Sequence, residues 1–77
     1  MITNIDAAIA AFWDAEADIQ ADLGEDVEVE YKDIVLAVAW EMDDDTAREL
    51  CRIKLGWIPY ELEGRLGRAD WLNDISF

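Results

Sequence analysis

The sequence predicts an all-α fold, a small bundle of three to four short helices. Three observations carry that reading. Apolar residues recur at helical spacing in separate segments. Glycine, proline and aspartate stand at the boundaries of those segments. The chain of 77 residues is 53% hydrophobic and holds four Trp, enough apolar surface for one small compact domain spanning residues 1–77.

Residues 4–23 form the first predicted helix. Thr3 or Asn4 supplies the cap, and Asp6 sits near the positive end of the helix dipole. Ile5, Ala8, Ile9, Phe12, Ile19 and Leu23 share one face. Gly24 is the natural stop. At about 100° per residue, Asp14, Asp18 and Asp22 fall on the opposite face. Asp26 would continue the row. Like charges four residues apart cost a helix a few tenths of a kcal/mol per pair. A run of aspartates with no intervening base therefore calls for an explanation.

The segment 25–45 supports two readings. Val27, Val29 and Tyr31 alternate with Glu28 and Glu30, as in a strand, and Lys32–Asp33 would then turn a hairpin into Ile34–Trp40. The alternative fold is accordingly α+β, a helix packed on a two-stranded hairpin at 27–40. Against it, Tyr31, Ile34, Val35, Val38 and Met42 form a helical stripe. Lys32–Asp33 also lacks the glycine of the commonest two-residue hairpins. The preferred reading is a second helix near 31–42 after an extended linker.

Asp43, Asp44 and Asp45 offer N-caps for a third helix over 46–56, which Gly56 ends. A fourth helix covers 59–66, with Pro59 at its first position. Residues 70–75 read as a last turn that packs Trp71 and Ile75. Of the four Trp, two or three are expected to fill the core with large rings. Trp13 borders the apolar face of the first helix, and Trp40 lies off the stripe of the second. Either one, exposed beside the acids, would serve as an anchor at an interface.

Charge and chemistry narrow the function. The net charge is −13. Residues 1–45 hold 14 acids and one base, Lys32, whereas residues 46–77 hold five acids and five bases. Such a field repels nucleic acid and anionic membranes and attracts basic surfaces. The chain contains no His, and its only Ser is Ser76, so no Ser–His or Cys–His pair exists. No enzymatic activity, catalytic residue or cofactor is expected. Cys51, the single cysteine, falls in an amphipathic helix and is expected to be buried. It has no internal disulfide partner, which fits a reducing compartment. The acids of 22–30 and 43–45 do not match a calcium loop, and zinc has too few ligands, so no metal is expected. No run approaches the roughly 20 apolar residues of a membrane span. No base precedes Asp6, as a signal peptide would require. The expected location is the cytoplasm.

Two resemblances follow from these residues. "LGWIPYELEGRL" (55–66) resembles the second half of a regulator-type helix-turn-helix, with Leu55, Gly56, Pro59, Leu62 and Leu66 in matching places. It departs at the reading positions, where Tyr60, Glu61 and Glu63 replace polar or basic residues. It implies a helix pair as scaffold, and a degenerate regulator as a third functional reading. In size, charge and acidic face, the protein is similar to the small nucleic-acid mimics encoded by phages, the anti-restriction and some anti-CRISPR proteins. That similarity implies a stoichiometric inhibitor acting in the host cytoplasm. Asp14, Asp18, Asp22, Glu25, Asp26, Glu28 and Glu30 would stand in for phosphates, with Trp13 beside them. The implied partner is a basic nucleic-acid-binding protein, such as a CRISPR effector or a nuclease. Acids four apart on a helix are about 6 Å apart in axial rise, comparable to the wound phosphate path of a strand that rises about 3.4 Å per nucleotide. An acidic adaptor that binds a basic protein without mimicking DNA is the alternative.

Overall fold

In a computed structural model, which describes residues 1–67, four α-helices and one 3-10 turn account for the regular structure. The predicted last turn at 70–75, with Trp71 and Ile75, lies outside the described residues.

Helix α1 runs Ile5–Leu23. Asn4 caps it in an extended conformation: its Oδ1 accepts from the Asp6 amide at 2.7 Å and the Ala7 amide at 3.3 Å. Two donors at the helix start are thereby satisfied. Gly24 ends the helix at φ +94°, a conformation in which a side chain is strained. Residues 25–30 then run without a helix or strand into α2, Tyr31–Val38. The expected linker and second helix are therefore present, and the hairpin at 27–40 is not. Ile34, Val35 and Val38 are buried on one side of α2, and that 3-to-4 spacing satisfies a helix where a strand would have scattered it over both faces.

The second helix is shorter than its apolar stripe suggests. It tightens into a 3-10 turn over Ala39–Glu41, and Met42 is extended at φ −132°, ψ 159°. Met42 is still buried, but by a different device. Ile2 and Met42 form a single parallel bridge, in which the Ile2 amide donates to Glu41 O at 2.6 Å and the Asp43 amide donates to Ile2 O at 3.0 Å. The residues before α1 thus lie along the exit from α2.

Helix α3 spans Asp44–Lys54. Of the three aspartates expected to cap it, Asp43 does so, accepting from the Thr46 amide at 2.9 Å. Hydrogen bonds from Thr46, side chain first and then backbone, hold the Asp43 carboxyl below its ordinary range. Helix α4 covers Tyr60–Leu66. Pro59 stands one place earlier than expected, as the N-cap residue and not the first helical one. Gly56, at φ +78°, turns the chain between α3 and α4.

Helix α1 packs on α2 and α3, and α4 packs on α3. The core joins Ala8 and Phe12 of α1, Ile34, Val35 and Val38 of α2, Ala47, Leu50 and Cys51 of α3, and Leu62 and Leu66 of α4. Among the described residues Phe12 is its one large ring. Here the structure corrects an expectation: Trp13, Trp40 and Trp57 are 42%, 79% and 42% exposed. Among the described residues, the core is filled by aliphatic side chains, Cys51 and Phe12, and these three indoles lie at its margin or outside it. Cys51 is fully buried, as expected, and burial pushes its thiol up to about 11. Among the described residues no helix is long and apolar enough to cross a membrane.

Candidate partner-binding surface

The acidic residues of α1 are placed by the same periodicity that buries Ala8 and Phe12. With those on the core side, Asp14, Asp18 and Asp22 are left exposed. Asp14 and Asp18 border an open groove against α2, together with Ala11, Ala15, Ala37, Val38 and Glu41. Small alanines on both sides keep its floor low. Glu41, from the 3-10 turn, adds a carboxylate that belongs to a different element.

Glu25, Asp26, Glu28 and Glu30 are exposed on the linker. The linker is tied back to α1. The Gln20 amide nitrogen donates to Gly24 O and to Val27 O, each at 2.6 Å. The Val27 amide donates to Gly24 O at 3.4 Å. The start of the linker therefore continues from the end of α1 in a defined way, and its acids extend the acidic surface past Asp22. Glu30 is the N-cap residue of α2 but makes no side-chain cap hydrogen bond.

The bases are occupied elsewhere. Lys32 pairs with Glu61 of α4 at 3.1 Å, and Arg52 pairs with Glu49 one turn away. Both carboxyls are held below their ordinary range: Glu49 by the Arg52 hydrogen bond, Glu61 by its own backbone amide and then by Lys32. Arg65 donates to Asp44 at 2.7 Å, to Ala39 O at 2.7 Å and to Met42 O at 2.5 Å, so it clasps the 3-10 turn to α4. Arg48 donates to Leu66 O at 2.9 Å. Lys54 lies 4.1 Å above the Trp13 ring and 5.1 Å from the Phe12 ring. Among the described residues, none of these side chains forms an ion pair with Asp14, Asp18, Asp22, Glu25, Asp26, Glu28 or Glu30.

Trp13 is thus part of an internal aromatic group. Its ring meets Phe12 edge-on at 5.0 Å and Tyr31 at 6.1 Å, and Lys54 covers it. Trp40 is far more open. It lines a shallow depression with Met1, Ile2 and Glu41. Its place off the apolar stripe of the second helix was the signal in the sequence; its nearness to Met1, Ile2 and the acidic groove of α1 was not visible there. The aspartates at 43–45 are divided among structural tasks, since Asp43 caps α3 and Asp44 holds Arg65. No group of three or more Asp, Glu or Cys among the described residues is arranged to hold a metal ion. On the helix pair α3–α4, Tyr60, Glu61 and Glu63 are exposed, so the face that would read a base edge carries carboxylates. No protein-family model, curated protein or solved structure matches this chain.

Proposed function

We propose that this protein is a stoichiometric inhibitor that occupies a basic nucleic-acid-binding site on another protein by presenting carboxylates in place of phosphates, in the manner of anti-CRISPR or anti-restriction proteins. The observation that supports this reading is the separation of charge. The acids of α1 and the linker have no basic partner among the described residues, while the described Lys and Arg side chains are engaged on α2, α3, α4 and the aromatic group. A chain that needed acidity only to stay in solution would be served equally well by interspersed charges. A row without bases is repelled by itself and relieved by a partner's Arg and Lys.

The test is competition. Purified protein is added to DNA-binding assays of bacterial CRISPR effector complexes and restriction nucleases at two salt concentrations. The expected result is loss of DNA binding by one such complex, restored by excess duplex DNA and weakened at high salt as screening grows. The triple change Asp14→Asn, Asp18→Asn, Asp22→Asn should weaken inhibition by about tenfold or more. A complex that binds this protein and duplex DNA together would instead identify an acidic adaptor. Full inhibition by the triple variant would remove the row from the interface.

A further inference from the structure

The acidic groove does not end at α1. Glu41 lines both that groove and the depression that holds Trp40. Met1 lines the Trp40 depression and also a second acidic one, with Asp43, Asp44, Asp45 and Arg65. The order across the surface is therefore the α1 carboxylates with Glu41, then the indole, then Asp43, Asp44 and Asp45, of which Asp43 caps α3 and Asp44 is paired with Arg65. Trp40 is 79% exposed, so the centre of this surface is an open indole, with Asp14, Asp18 and Glu41 along one side. An exposed Trp surrounded by polar groups is the arrangement of an interface anchor with its rim.

Resting on the inhibitor reading, we infer that this surface, centred on Trp40, is where the partner docks, and that the partner brings an arginine to the indole face. A second copy of this chain is not the occupant, since two surfaces of this charge would repel. The complement of an indole between carboxylates is a planar cation that stacks on the ring and donates hydrogen bonds to the acids at its edge. Arginine does both; lysine, a compact and strongly hydrated charge, does the first less well. The exposed indole thus selects among basic partners, where the acids alone would accept any. Trp13, half covered by Lys54, does not present a free ring face of this kind.

The experiment uses the full chain and two synthetic probes, a ten-residue oligo-arginine and a ten-residue oligo-lysine. Binding is followed by calorimetry and by the indole N–H signals in NMR, with the Trp40 signal assigned from Trp40→Phe. The arginine peptide is expected to bind about two- to fivefold more tightly than the lysine peptide and to shift the Trp40 signal. Trp40→Ala should abolish that preference, weakening arginine-peptide binding more than lysine-peptide binding. Trp57→Ala, an equally informative indole in the near-neutral half of the chain, should leave the preference intact. Trp40 is exposed, so its removal does not disturb the core, and circular dichroism checks that the variant is folded. Equal binding of the two peptides, or a preference that survives Trp40→Ala, overturns this inference and leaves the acidic-face reading standing. If neither peptide binds at low salt, both fall together.

Discussion

Phe12 and Cys51 both lie at 0% exposure in the core. Phe12 is fully buried and meets Trp13 and Tyr31 edge-on, so it is both the centre of the core and its link to the half-exposed aromatics. Phe12→Ala should lower unfolding free energy by about 3–5 kcal/mol, which denaturant titration would measure; a loss under about 1 kcal/mol would mean that the site collapses around the gap. Cys51 is buried, and burial pushes its thiol up to about 11, so little thiolate is present near neutral pH. Its labelling by a thiol reagent at mildly alkaline pH should be about a hundredfold or more slower in the native protein than in denaturant. Comparable rates in the two states would place the thiol at the surface. Asn4 is the simplest structural residue to check: Asn4→Ala removes a cap and should cost about 1 kcal/mol.

Among the elements, α1 and its linker combine a cost with a constraint. Asp14, Asp18 and Asp22 repel one another along the helix, and the linker adds Glu25, Asp26, Glu28 and Glu30 beyond it. Changing the three aspartates to Asn should raise thermal stability slightly, by a few tenths of a kcal/mol per relieved pair, while inhibition falls. Stability and function moving in opposite directions would separate a functional row from a merely solvated one; a loss of both would show that the acids support the fold. Gln20 holds the linker through Gly24 O and Val27 O. Gln20→Ala should therefore speed amide hydrogen exchange over residues 24–27 and leave α2 unaffected, because α2 is anchored independently by Ile34 and Val35. Between α3 and α4, Gly56 is at φ +78°, and no described residue beyond its chain neighbours lies within 4 Å of a Cβ added to it. Its replacement by Ala should cost at least the backbone strain, about 1–2 kcal/mol.

At the scale of the whole molecule, acids outnumber bases by 13, so repulsion between carboxylates is the dominant long-range electrostatic effect. A net charge of −13 on 77 residues opposes compaction through self-repulsion. Added salt should accordingly raise the melting temperature, the reverse of what a fold held by surface ion pairs would do. Acid acts through different groups. Asp43, Glu49 and Glu61 have carboxyls lowered in the fold, so their contribution is present above their unfolded values and is lost as pH falls through the folded ones. Part of the stability should therefore disappear below about pH 4, and Asp43→Asn should flatten that decline. An unchanged pH profile in that variant would assign the loss to other carboxyls.

Local rules in the sequence determined most of the architecture. Helical spacing, Asn4 and Asp43 as caps, and Gly24 and Gly56 as stops each depend on neighbours within about one turn of the chain. That is why the four helices and the buried Cys51 were legible. Three things needed the tertiary structure. The 27–40 segment alternates weakly enough to suit strand or helix, and only packing of Ile34, Val35 and Val38 against α1 and α3 decides for the helix. Met42 leaves the helical stripe because Ile2, 40 places earlier in the sequence, offers it a backbone partner. That Trp13, Trp40 and Trp57 stay at the surface depends on how the core is filled in three dimensions, which no local pattern encodes. The acidic row itself was plain in the sequence. That its groove runs through Glu41 to an exposed indole was decided only when residues 11–18 and 37–41 met in space.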